Sequence, residues 1–189
     1  MLTSDHAKQY ISQAKDELGT LGEARGKITL LRRFDLDLLP ASCTGAMPGL
    51  HLSPTKWTPN SPDIELVYNE AQQLAAYIED FYEIGTADGT DAAVDIQWKY
   101  NATTAHLTKA MNDHPDSLFW TFASSEHNQN HPPDFPRIMA LGNGSLTPDG
   151  GVNQKLLPFL RQHSGRRLGI VTLDFYDQPE DLVDAILGL

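Results

Sequence analysis

The stretch RRLGIVTLDFYDQPEDLVDAILGL, residues 166–189, decides the fold class that the sequence predicts. Its first half is a short apolar run, which indicates a strand buried on both faces. Its second half carries apolar residues at helical spacing, and Pro179 at an N1-like position predicts the start of that helix. A buried strand that leads directly into a helix is a βα unit, so this end of the chain predicts a parallel sheet.

The same alternation of helices and strands recurs upstream. Residues 4–18 predict an amphipathic helix that ends at Gly19, and residues 96–112 and 152–165 predict two more helices. Strands are predicted at KITLLRRF (27–34), AYIEDFYEI (76–84) and SLFWTFAS (117–124), although residues 69–76 also contain good helix formers. The order predicts an α/β fold, and the length of 189 residues predicts a single domain over residues 1–189.

Two segments interrupt this pattern. Residues 35–63 predict a long irregular loop of the kind that is often a functional loop or lid, because they contain Pro40, Pro48, Pro54, Pro59 and Pro62. A second proline-rich segment, EHNQNHPPDFP, occupies residues 126–136. Its histidines lack the helical i, i+4 geometry of a metal motif, so we predict a solvated loop, no metal site and no cofactor.

Composition excludes several classes of function. Fourteen Lys and Arg stand against 25 Asp and Glu, and the net charge of -11 predicts that the chain does not bind nucleic acid. Cys43 is the only cysteine, so no internal disulfide is expected. We find neither the pattern of a signal peptide nor an apolar run long enough to span a membrane, and the cellular compartment stays undecided.

Candidate functional residues follow the predicted strands, because functional groups in parallel βα folds cluster where strands end. Arg33, Asp80 and Tyr82 could hold a polyhydroxylated ring: the guanidinium donates to hydroxyls, the carboxylate accepts from them, and the aromatic face packs on C–H groups. The alternative is an Arg33–Asp80 ion pair of purely structural character, with Tyr82 in the core.

Asp174 interrupts an otherwise apolar strand. A carboxylate in that position is costly unless it is paired, so a His, Arg or backbone donor is expected as its partner. As a functional group it could orient a general-base histidine, and as a structural group it could accept hydrogen bonds from a neighbouring loop. Composition and spacing leave both readings open.

Three segments resemble the phosphatidylinositol-specific phospholipase C family in its bacterial and fungal forms. They are EARGKITLLRRF (23–34), IEDFYEI (78–84) and the closing stretch from Gly165 to Leu189. The resemblance implies an irregular (β/α) barrel of the TIM type and a metal-independent cleavage of a phosphodiester by two histidines. It also implies that Arg33 and Asp80 bind inositol hydroxyls, that Tyr82 stacks on the ring, and that Asp174 supports the general-base histidine.

The sequence departs from the family at its beginning. The family's two catalytic histidines and its phosphate-binding arginine lie before the segment RGKI, and here only 22 residues precede Glu23. We therefore expect a partial barrel, the C-terminal half of a phospholipase C-like phosphodiesterase domain, that lacks the catalytic histidines. An incomplete product of a larger enzyme, a subunit completed by association, and a catalytically inactive descendant are the three interpretations.

The resemblance also defines the expected partners. They are phosphatidylinositol or an inositol-type head group, a membrane surface contacted only transiently, and further copies of the chain that pair through exposed sheet edges. A non-catalytic inositol- or polyol-binding module and a structural α/β domain are the alternative functions.

Overall fold

The structure is a computed structural model and describes residues 2, 4–36, 40 and 47–189. The chain divides into two compact units, Met1–Thr58 with Glu65–Ala76, and Pro59–Ile64 with Tyr77–Leu189. Cys43 and part of the predicted loop over 35–63 lie outside the described residues. The single domain over residues 1–189 stays a prediction.

The first unit contains two short helices and a two-stranded parallel sheet. Helix α1 spans Asp5–Tyr10 and α2 spans Leu21–Ala24, while β1 (Leu31–Arg32) pairs with β2 (Leu50–His51). The predicted helix over 4–18 is wrong beyond Tyr10. Ile11 and Lys15 instead form parallel bridges with Ile28 and Gly49, because the backbone past α1 hydrogen-bonds to neighbouring extended chain.

A hairpin forms over residues 61–80, which include the stretch 69–76 whose residues favour a helix. Strands β3 (Ser61–Asn69) and β4 (Leu74–Asp80) are joined by a turn over residues 70–73. A connection this short can only join antiparallel strands, since parallel neighbours need a crossover of roughly a dozen residues. The prediction of one long loop over 35–63 is therefore wrong at β2 and at the start of β3.

The second unit holds most of the helices. They are α3 (Ala92–Asn112), α4 (Pro136–Leu141), the short 3₁₀ helix Gly144–Leu146, α5 (Val152–Gln162) and α6 (Leu182–Leu187). Strands β5 (Leu118–Phe122) and β6 (Ile170–Thr172) complete a four-stranded sheet in the order β3-β4-β5-β6. The mixed α/β class is confirmed, and β5 and β6 are parallel, with Phe122 opposite Thr172.

The closing segment is less regular than its sequence predicts. Only Ile170–Thr172 forms a strand, whereas the prediction covers 166–176. Gly169 enters that strand with a φ of 77°, and a Cβ there would lie 2.4 Å from the Phe119 carbonyl oxygen, so the backbone turns where only glycine fits. The last helix begins at Leu182, with Asp181 as its N-cap, so the N1 position predicted for Pro179 is wrong.

The apolar core of the second unit lies between α3, α5, α6 and the ends of the sheet. It includes Ile96 and Leu107 from α3, Leu156 and Leu160 from α5, and Leu182 from α6. These residues recur at the helical spacing that the sequence shows, which is why the long helices are predicted well. Within the described part of the chain, no helix has the length and apolar character needed to cross a membrane.

Two buried polar pairs connect α3 to the sheet. The Lys99 ammonium contacts the Glu79 carboxylate of β4 at 2.6 Å, and both side chains are 0% exposed. His106 is hydrogen-bonded through Nδ1 to the Thr121 hydroxyl of β5 at 2.8 Å. Burial lowers the pKa of His106 from 6.5 to about 4, so the ring is neutral near pH 7.

The neutral ring of His106 makes folding sensitive to pH. Since its pKa is 6.5 when unperturbed and about 4 in the folded chain, its stabilising contribution is full above pH 6.5 and is lost as the pH falls toward 4. We expect this residue to lower the free energy of unfolding by about 2 kcal/mol at pH 5 relative to pH 7.5. Urea unfolding of His106→Leu at both pH values should show a correspondingly weaker pH dependence, and an unchanged dependence would contradict the assignment.

Candidate functional site

Strands β4 and β5 bring polar side chains together at one end of the sheet. Asp80 is the last residue of β4 and is buried, whereas Tyr82 is 38% exposed. The N–H of Glu126 donates to the Tyr82 carbonyl at 2.8 Å, and Glu83 forms a parallel bridge with Glu126. The segments that follow β4 and β5 thus continue to pair beyond the ends of these strands, and Tyr82 lies beside Glu126.

Asp174 reaches the same end from β6, two residues beyond the strand. Its half-buried position, and secondarily the negative charge of Glu126, raise the pKa of its carboxyl group. The Asn153 amide donates to the backbone carbonyls of Asp174 and Phe175 and holds this turn. Among the described residues, no side chain or backbone donor binds the Asp174 carboxylate, so the partner expected from the sequence is not found there.

Arg33 belongs to the first unit. It is exposed, directly follows β1, and its guanidinium lies 4.3 Å from the centre of the buried Trp57 ring. A guanidinium over an indole face is a favourable cation–π arrangement and holds the arginine in one orientation. The structure therefore places Asp80, Tyr82 and Asp174 at one end of the sheet in the second unit, and the binding and catalytic roles of all four residues stay predictions.

A buried polar cluster begins at the residue after Glu126, and sequence reasoning missed it. His127, Asn130 and Asp134 are buried, so the prediction of a solvated loop over 126–136 is wrong for these three residues. His127 binds the Asp95 carboxylate of α3 through Nδ1 at 2.8 Å. The loop is proline-rich, but its polar side chains turn inward because α3 offers a buried carboxylate.

Asn130 ties this cluster together. Its amide nitrogen donates to the Thr90 carbonyl and to the Asp134 carboxylate, each at 2.8 Å, and its side-chain oxygen accepts from the Gly89 N–H at 2.7 Å. These bonds attach the loop over 126–136 to the segment that leads into α3. No sequence motif indicated this, because the partners are separated by about 40 residues.

Asp95, His127 and Asp134 are also the described residues that could hold a metal ion. Each offers one ligand atom, and these atoms lie within 4.8 Å of one another. One imidazole and two carboxylates are ligands typical of zinc. Burial raises the pKa of Asp134, and Asp95 raises it further, so a proton on Asp134 would also balance the charge of the cluster.

Two cavities of the second unit lie near α3. One, of about 330 Å³, is lined by Asn130, Asp134 and the N-terminal end of α3. The other, of about 470 Å³, lies between α3 and residues 147–150 and includes Trp98 and Lys155. Asp80, Tyr82 and Asp174 line neither of them.

The two carboxylates of the cluster should respond differently to neutralisation. Asp95→Asn removes the buried charge that faces His127, and we expect a loss of about 3 kcal/mol in the free energy of unfolding. Asp134→Asn keeps an oxygen acceptor for Asn130 and removes a like charge beside Asp95, so we expect a change below about 1 kcal/mol. Urea unfolding at pH 7 measures the free energy of unfolding of both variants. Equal losses of stability would contradict the expectation that Asp95 carries the buried charge that His127 needs.

Comparison with known proteins gives a fold but no sequence match. No protein-family profile matches the chain, and no curated protein sequence matches it. Solved structures of phosphatidylinositol-specific phospholipase C from Staphylococcus aureus do match. For one mutant structure the TM-score is 0.71 at 19% identity, covering 98% of this chain and 55% of that one.

A second structure, from work on modulating the membrane binding of that S. aureus enzyme, gives a TM-score of 0.70 at 20% identity. It covers 99% of this chain and again 55% of the other. At this identity the likeness establishes the fold alone. The chain therefore has the fold of part of a phosphatidylinositol-specific phospholipase C and spans about half the length of that protein.

Proposed function

We propose that this chain is the inositol-binding half of a phospholipase C-like phosphodiesterase, a partial (β/α) barrel whose catalytic histidines lie outside it. One observation carries the proposal: Asp80, Tyr82 and Asp174 are at the same end of strands β4 and β6, which lie on either side of β5, in a fold matched over 98% of the chain by the S. aureus enzyme. Functional groups of parallel βα folds collect at this end of the sheet.

The three binding residues have complementary chemistry for an inositol ring. The Asp80 carboxylate accepts hydrogen bonds from ring hydroxyls, and the exposed face of Tyr82 packs against ring C–H groups. Arg33 supplies a guanidinium that Trp57 already holds in one orientation. A neutral polyol suits this set because both a donor and an acceptor are present.

Asp174 serves in this proposal as the carboxylate that orients a general-base histidine. That histidine would take the proton of the inositol 2-hydroxyl as its oxygen attacks phosphorus, and a second histidine would protonate the departing glycerolipid oxygen. Asp174 is half-buried, and none of the described residues donates to its carboxylate, so a partner from outside this half can bind it. His127 does not supply the base, because its side chain is buried with Asp95 in the polar cluster and is not open to a substrate.

The sheet itself supports a barrel completed by another segment. β6 is the last strand in the order β3-β4-β5-β6, and Ile170 within it is 39% exposed. A terminal strand presents unpaired backbone groups, which favour pairing with a further strand. The S. aureus enzyme is about twice as long as the matched region, so the remainder of such a barrel has a counterpart there.

Inositol binding is the direct test of the head-group site. At inositol concentrations about tenfold above its Kd, we expect the melting temperature to rise by about 3–5 °C. Arg33→Ala and Asp80→Asn should abolish this shift, because each removes a polar contact to the ring. Arg25→Ala, which changes an exposed arginine of the same unit, is the matched control. No shift at millimolar inositol in the unmodified protein would argue against the site.

The absence of catalytic histidines from this half predicts no turnover by the chain alone. We expect no release of inositol phosphate from phosphatidylinositol vesicles, measured by phosphorus NMR. Adding a separately produced N-terminal half-barrel should restore release, and Asp174→Asn should then reduce the rate by about 100-fold or more, as loss of an orienting carboxylate does in other enzymes. Turnover by the unaided chain would show that its own residues carry the chemistry. A chain that binds inositol but is never activated would be a binding module.

A further inference from the structure

The buried side chain of Lys99 contacts the residues on both sides of Asp80. Its ammonium contacts Glu79 Oε1 at 2.6 Å and donates to the Phe81 carbonyl at 2.7 Å. The same Glu79 oxygen accepts the Phe81 N–H at 3.1 Å. The residues on both sides of Asp80 are thus bonded to one group on α3.

We propose that Lys99 is a positioning residue for Asp80 and that the Lys99–Glu79 pair determines how the Asp80 carboxylate is presented to a ligand. Successive side chains of a strand point to opposite faces. Glu79 points toward α3, where Lys99 is, so Asp80 points to the other face of the sheet. The ligand part of this inference rests on the proposed inositol site.

A need for stability alone does not account for the pair. Both side chains are 0% exposed, and removing two charges from water costs more than burying an apolar pair of similar size. What an apolar pair cannot do is donate to the Phe81 carbonyl, which lies just beyond the end of β4. The ion pair supplies a donor and an acceptor to the same peptide segment.

Neighbouring contacts limit the remaining motion of this segment. Phe81 packs on Trp98 of α3 with ring centres 4.1 Å apart. Past it, the Tyr82 carbonyl accepts the N–H of Glu126 from the chain beyond β5. The residues next to Asp80 are therefore held by Lys99 and Trp98 of α3 and, one residue further on, by the chain beyond β5.

The test compares two neutralised ion pairs on α3. In the double variant Glu79→Gln with Lys99→Met, the side chains keep their approximate shapes but the ammonium is removed. The control is Asp63→Asn with Lys109→Met, which neutralises the Lys109–Asp63 pair at 2.7 Å about 15 Å further along the helix. Inositol affinity is measured by calorimetry, and exchange of the Phe81 amide hydrogen is measured by NMR.

We expect both double variants to unfold cooperatively. The Glu79–Lys99 variant should bind inositol at least tenfold more weakly, since displacement of a binding group by about 1 Å is enough for such losses, and its Phe81 amide should exchange at least tenfold faster. The control should match the unmodified protein in both. If the double variant does not fold, Glu79→Gln alone is used, and we expect at least a threefold loss of affinity and faster Phe81 exchange.

The two readouts separate this inference from the function on which it rests. Unchanged affinity and unchanged Phe81 exchange in the variant would overturn the positioning role. Unchanged affinity with faster exchange would also overturn it, because the segment would move without consequence for the ligand. If the unmodified protein does not bind inositol, the proposed function fails, and Phe81 exchange alone then decides whether Lys99 holds the Asp80 segment.

Discussion

A lysine and a glutamate in contact within the interior determine how the longest helix meets the sheet. Lys99 and Glu79 are both fully buried, and each would be costly there without the other. Burial lowers the pKa of Lys99, and its contact with Glu79 opposes that shift. Since no other register of α3 along β4 would pair these two groups, the interaction favours one placement of the helix against the apolar core.

That placement has consequences at both ends of α3. Toward the middle, His106 meets Thr121 of β5 as a neutral ring, which links the helix to a second strand. Near the N-terminal end of α3, the Asp95 carboxylate is hydrogen-bonded to His127, and this contact packs the loop over 126–136 against the helix. Three polar contacts from one helix thus fix β4, β5 and the loop beyond β5. Of these segments, β4 ends at the candidate binding residue Asp80.

Regular elements were predictable where one periodic signal dominates. The apolar spacing of α3 and α5 and the aromatic run of β5 predicted those elements close to their observed bounds. Prediction failed where the backbone depends on distant partners. Residues 11–15 carry helical spacing but form bridges with Ile28 and Gly49, and residues 69–76 have helix formers but form the turn and part of a hairpin. Local propensity is a weak preference that such contacts override.

The sequence by itself determined the α/β class and the position of the long helices, and its resemblance to a family predicts Arg33, Asp80 and Tyr82 as binding residues and Asp174 as a catalytic one. It did so because hydrophobic periodicity and short motifs are local properties of a chain. Only the tertiary structure decided that Asp174 lies near Glu126, that His127 is bound to Asp95, and that Lys99 holds the residues on either side of Asp80. These contacts join residues 18 to about 50 positions apart. The sequence does not reveal them, because whether a charged residue is buried depends on a partner that only folding brings close.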